Sequence, residues 1–165
     1  MSMATTAPEE KTATQALIPT QAHVISHAHW DREWYKPFQG FRYYLVQVID
    51  DILNLMNTDP EYRHFHLDGQ TVVLEDYAQI RPERVDELKR RIAEGRILVG
   101  PWYDAPDLFL VDGESLVRNI QLGFKVSKEW GGQPLPIGYA LDFFGHSSQM
   151  PQIYKGFGFR AATQF

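Results

Sequence analysis

Short apolar runs alternate with longer helical periodicities from Ala22 onward, and this alternation constrains the fold more than any other feature of the sequence. The run "HVIS" precedes "FRYYLVQVIDDILNLM", in which Leu45, Val48, Ile49, Ile52, Leu53 and Met56 recur at three- and four-residue spacing and share one face of an amphipathic helix. "RHFHLDG" leads into "TVVLEDYAQI" and then "RPERVDELKRRIAEG", where Pro82 suits a first helical turn and Gly95 a C-terminal cap. "RILVGPW" is followed by "GESLVRNIQLGFKVSKEW", with Leu116, Ile120 and Phe124 at helical spacing. "PIGYALDF" precedes a short helix near "QMPQIYKGFG", and a fifth run begins at "FRAATQF". Crossovers of this length imply a parallel sheet with right-handed connections, either open and doubly wound or part of a barrel. In both arrangements ligands bind beyond the carboxyl ends of the strands.

Composition narrows what can happen there. A chain of 165 residues, 44% hydrophobic and 22% charged, has the size and balance of one globular domain. Its 16 basic and 21 acidic residues are scattered, with no basic stripe for nucleic acid. Without cysteine, a metal site must use histidine and carboxylate, the ligand set of catalytic zinc rather than of structural zinc. Residues 1–21 lack the basic start and apolar core of a secretory signal and read as a disordered lead-in. No apolar stretch approaches the roughly 20 residues that span a bilayer, so a cytoplasmic location without membrane contact is expected.

The run ends are polar and aromatic. The first ends in His27, His29 and Asp31, the second in Asp68, the third in Trp102, Tyr103 and Asp107, and the fourth in Asp142, Phe143, Phe144 and His146. If the first strand stays extended, His27, His29 and Asp31 point to one face, which suits a metal. The plainer alternative is a strand-capping histidine and a helix-starting aspartate. Aromatic rings gathered at one edge, Trp34 among them, suit the apolar faces of a sugar, although Phe143 and Tyr103 read better as core.

The segments "HAHWDREW", "LDGQTVVLEDY", "GRILVGPWY" and "DFFGHSSQMPQI" together resemble the glycoside hydrolase family 38 α-mannosidases of bacteria, from about Ala22 to Phe165. The resemblance implies an α/β fold, a partial (β/α) barrel of parallel strands forming the N-terminal portion of a seven-stranded glycoside hydrolase/deacetylase-like barrel. It also implies a zinc-dependent retaining α-mannosidase. By it, His29, Asp31 and Asp142 are zinc ligands, with Asp142 also the nucleophile, and Trp34 and Phe144 contact the mannose. His27 would support the site from behind, and Asp68 and Asp107 would touch substrate. Asp68 before glycine also suits a structural turn, and Asp107 a helix cap. Where many relatives have a second acid after the third strand, this chain has Leu108.

The partner implied is an α-mannoside, a short mannosylated glycan or a mannosylglycerate-type solute, in an enzyme compatible with homo-oligomerisation. The acid/base and a further zinc-binding histidine are expected outside these residues, so the chain reads as a fragment, inactive alone. Two other readings remain. A metal-dependent polysaccharide deacetylase would want an H-x-x-x-H pair on a following segment, whereas only His23 and His27 have that spacing. A non-catalytic sugar-binding module would keep the aromatic edge without turnover.

Overall fold

The computed structural model describes residues 22–164, and the lead-in expected over 1–21 lies outside the described residues. In chain order the elements are α1 (Phe38–Thr58), β1 (Phe65–His66), α2 (Val72–Ile80), a 3-10 turn (Pro82–Arg84), α3 (Val85–Ala93), β2 (Ile97–Leu98), α4 (Gly113–Glu129), β3 (Ile137–Ala140), α5 (Met150–Gly156) and β4 (Ala161–Gln164). The alternation and the parallel sense are as the sequence implies: β1 pairs with β2, and β3 with β4, both parallel. The pairing is sparser than expected. The hydrogen bonds make two separate two-stranded ladders rather than one sheet, joined loosely where Leu135 N donates to Val99 O and Trp102 Nε1 to Tyr139 O.

The first expected strand is not a strand but one parallel bridge, His27 to His66, with His66 N donating to Ser26 O at 2.9 Å. A strand flanked on one side only forms one row of hydrogen bonds, and its apolar residues Val24 and Ile25 are 95% and 70% exposed. From Arg32 to Lys36 the backbone turns through a series of bends before α1.

The helices follow their periodicity. On α1, Leu45, Ile49, Ile52, Leu53 and Met56 are buried and Val48 is half-buried, as a single apolar stripe requires. On α4, Leu116 and Ile120 are buried, and Asp112 caps the first turn by accepting a hydrogen bond from Ser115 N at 2.7 Å. Pro82 opens the 3-10 turn, and Gly95, at φ +70°, closes α3 in the left-handed conformation that favours glycine. Gly123 lets α4 lie directly on the chain leaving β2, since a Cβ there would meet Pro101 O at 2.2 Å.

Two apolar cores result. One packs α1, α2 and α3 against β1 and β2; the other gathers Trp102, Leu108, Ile120, Phe143, Met150 and Tyr154 around β3 and α5. The carboxyl ends of β1 and β3 lie between them, where Tyr139 of β3 reaches Asp68.

Candidate active site

The loop after the first bridge is fastened before it reaches the cleft. Trp30 N donates to Asp68 Oδ2 at 2.7 Å, Trp30 O accepts from Gln70 Nε2 at 2.8 Å, and the Trp30 ring meets Phe41 edge-on. Two residues on, Arg32 grips the buried Asp76 of α2 through Nε at 2.9 Å and Nη2 at 3.1 Å, a fork that fixes direction as well as distance. The hydrogen bond to Asp76 holds the Arg32 guanidinium above its ordinary pKa. His29 stands just before these anchors and Asp31 between them, while Trp34, 74% exposed, follows at the rim.

His29 then meets three carboxylates. Its Nε2 is 2.9 Å from Asp142 Oδ2 and 3.6 Å from Asp31 Oδ1, while Nδ1 is 3.1 Å from Asp68 Oδ2. One ligand atom each from His29, Asp31 and Asp142 lies within 4.8 Å of the others. Zinc bonds to nitrogen and oxygen of 2.0–2.2 Å in a tetrahedral arrangement place ligand atoms about 3.4 Å apart, and the His29 Nε2 separations of 2.9 Å from Asp142 and 3.6 Å from Asp31 bracket that value. An Nε2 lone pair facing two carboxylate oxygens is tolerable only with a proton or a cation between them. The donor set, one imidazole and two carboxylates without thiolate, is that of a site with open positions for water or substrate.

Asp142 and Asp68 both adopt left-handed backbone, at φ +57° and +44°. Such conformations are uncommon outside glycine, though aspartate tolerates them, and they gather at functional sites. Gly69 continues the turn at φ +69°, where a Cβ would strike the Tyr139 ring at 2.5 Å. Asp68 is 3% exposed; burial pushes its carboxyl pKa up, against the lowering pull of Trp30 N–H, His29, Tyr139 and Gln70.

A cleft of about 900 Å³ opens over the cluster, lined by His29, Asp31, Trp34, Asp107, Asp142 and Phe144 together with Arg32, Glu33, Gln70 and Asp104. Six of the eight residues singled out from the sequence therefore share it, and Asp68 and His27 do not. Asp68 lies beneath His29. His27 lies at the bridge with His66, outside the cluster, so of the three residues expected to share one face only His29 and Asp31 join Asp142. Asp107 Oδ1 accepts from Phe144 N at 3.1 Å and Leu108 N donates to Phe144 O at 2.8 Å, so the loop after β2 clamps the loop carrying Asp142. Phe144 stands 65% exposed at the rim, whereas Phe143 is buried against Trp102.

Arg32, Gln70, Asp104 and Tyr139 were not singled out in the sequence. Arg32 and Gln70 stand within the quoted motifs, and their lengthy polar side chains beside the metal-type residues were the available signal; Tyr139 reads there as an ordinary strand aromatic. Burial raises the Asp104 carboxyl pKa despite the Arg32 guanidinium 3.9 Å away.

Residues 19–164 match the family described as "Glycosyl hydrolases family 38 N-terminal domain". A protein of Halalkalibacterium halodurans provisionally named mannosylglycerate hydrolase is 52% identical over 142 residues, 86% of this chain and 16% of that protein. An alpha-mannosidase of Saccharomyces cerevisiae is 29% identical, over 86% of this chain and 13% of its own length. The crystal structure of an alpha-mannosidase from Enterococcus faecalis superposes with a TM-score of 0.82 at 42% identity, covering 85% of this chain and 16% of that one. The chain thus spans about one sixth or less of the length of the curated relatives it matches.

Proposed function

The chain belongs to glycosyl hydrolase family 38, and on that premise we propose that it carries the nucleophile and most of the metal grip of a zinc-dependent retaining α-mannosidase. One observation carries the reading: His29 Nε2, Asp31 and Asp142 converge at cation-binding spacing on the floor of the cleft. His29, Asp31 and Asp142 would hold the zinc ion, which when bound orients sugar hydroxyls and draws negative charge from the site. The fold reading that goes with it is the N-terminal part of a seven-stranded barrel, the short parallel ladders being its early strands.

Asp142 would attack the anomeric carbon of the mannose, its oxygen forming the glycosyl-enzyme ester as the glycosidic bond breaks. The left-handed turn and the Asp107 clamp on Phe144 aim it into the cleft. Trp34 and Phe144 would offer flat faces to the sugar, and Asp107 a polar contact at the rim. A second carboxyl group about 5–5.5 Å from Asp142 must protonate the leaving oxygen and then activate water; the reading places it beyond residues 22–164, with a further histidine for the metal. His27 would act only from behind, through the bridge to His66.

The substrate would be a terminal α-mannoside of a short glycan or a mannosylglycerate-type solute, the latter suggested by the name of the Halalkalibacterium relative. The test is hydrolysis of an aryl α-mannoside by the full-length protein, with the first-formed anomer read by NMR. Retention of the α anomer, loss of turnover on chelation and recovery with zinc are expected; an inverted product or chelator-insensitive turnover would overturn the reading.

A further inference from the structure

We infer that Asp68 is a positioning residue, whose carboxylate keeps the His29 proton on Nδ1 and so turns the Nε2 lone pair towards the point where Asp31 and Asp142 meet. This rests on the metal-site reading above and extends it to a residue that does not touch the cleft.

The polarity of the contacts carries the inference. Gln70 is oriented at both ends by backbone groups whose roles cannot reverse: its Nε2 donates to Trp30 O at 2.8 Å and its Oε1 accepts from Ala105 N at 3.4 Å. The nitrogen of that amide is therefore the group 3.3 Å from Asp68 Oδ2. Trp30 N, which can only donate, reaches the same oxygen at 2.7 Å, and Tyr139 Oη donates to Oδ1 at 3.0 Å. Donors thus surround a buried carboxylate, which as an anion only accepts. The fourth group facing it, His29 Nδ1 at 3.1 Å, must then carry the hydrogen. With a cation between Nε2, Asp31 and Asp142, the imidazole is neutral and has one N–H, which Asp68 holds on Nδ1, leaving the Nε2 lone pair towards Asp31 and Asp142. The chain of orientation runs from backbone through Gln70 and Asp68 to the imidazole, drawing on the ends of β1 and β3 together.

The same geometry argues against Asp68 as a substrate contact. At 3% exposure, with donors on both oxygens, it has no face towards the cleft. A carboxylate behind a ligating histidine fixes the ring and raises its basicity, and removing such a partner costs about 10–100-fold in metal affinity.

The test is zinc affinity of the full-length protein by competition with a chromophoric chelator, alongside the thermal midpoint of the metal-free form. Asp68→Asn keeps the shape and an acceptor but removes the charge; its zinc dissociation constant should rise about 10–100-fold. Tyr139→Phe, which removes one donor from Asp68, should raise it about 2–5-fold. A merely structural Asp68 would lower the metal-free midpoint and leave the zinc affinity of the folded protein unchanged. Dissociation constants within twofold of wild type in both variants, with wild type binding zinc, would overturn the positioning role and leave the metal site standing. A wild-type protein that does not bind zinc would overturn both. If Asp68→Asn does not fold, Tyr139→Phe decides by the same criterion.

Discussion

The turns that end β1 and β3 use the same device to opposite effect. Each places an aspartate in left-handed backbone at a strand end, and the two carboxylates approach the same imidazole from its two nitrogens. Asp68 is buried, hung with hydrogen bonds from Trp30, Gln70 and Tyr139, and backed by the His66 ring against Tyr139 at 4.5 Å. Asp142 has a side chain 47% exposed on the open cleft. Residue type and backbone conformation therefore do not decide a role; what surrounds the carboxylate does. A carboxylate whose lone pairs are all engaged can orient a neighbour, and one with free lone pairs can bind a cation or attack carbon.

The sharpest way to break the comparison is to remove each carboxylate in turn. Asp142→Asn, which tolerates the same left-handed backbone, should abolish aryl mannoside turnover by on the order of 10⁴-fold or more, as expected of a nucleophile, while denaturant stability stays close to wild type. Steady-state kinetics and urea unfolding of the full-length protein check the two halves of this statement; turnover within tenfold of wild type would remove Asp142 from the chemistry. Asp68→Ala should show the reverse emphasis. It strands the Trp30 N–H and the Tyr139 hydroxyl in a dry setting, and at about 1–3 kcal/mol for each unsatisfied group a loss on the order of 3 kcal/mol is expected in the same unfolding measurement.

The dryness of the β1 end has a pH signature. Burial, aided by the nearby His27, lowers the His66 pKa from its ordinary value to about 4. Its Nε2 is buried without a hydrogen-bond partner, which suits a neutral ring. Because the folded state holds this imidazole neutral, the unfolded chain takes the proton first as pH falls below about 6.5. Stability should then drop through that window and level off below about pH 4, with the His66 share near 2 kcal/mol at pH 5. Replacing His66 by Phe, which retains the aromatic contact with Tyr139, should flatten the difference between pH 7 and pH 5 by that amount. An unchanged pH dependence would mean that water reaches His66 at the β1 end.

The smallest effect separates backbone from side chain. Asp142→Gly should raise stability by roughly 0.5 kcal/mol, the relief of left-handed strain less the entropy given to the unfolded chain, whereas Asp68→Gly should lower it through the lost contacts. Calorimetric midpoints of the two variants moving in the same direction would contradict the contrast.

Much of this was legible before the structure. Periodicity placed α1 and α4, because helix faces are written locally every three or four residues. The polar ends of the apolar runs pointed to one edge, and the structure brings His29, Asp31 and Asp142 together there. The illegible parts depend on pairing across the chain. "HVIS" reads as a strand but forms one bridge, since a strand is completed by neighbours rather than by its own residues. His27 reads as a partner of His29 at spacing two, yet its backbone pairs with His66 and it stays outside the cluster. Asp68 reads as a strand-end polar contact; that it faces inward follows from a positive φ and from Tyr139, 71 residues away, neither of which a local pattern reveals.

Where a metal sits tests the site most directly. An anomalous difference map at the zinc edge, from crystals of the full-length protein grown with zinc, should show one peak 2.0–2.2 Å from His29 Nε2 and from one oxygen each of Asp31 and Asp142. A map without a peak at that point, or with zinc bound at other residues and this cluster bridged by protons alone, would contradict it.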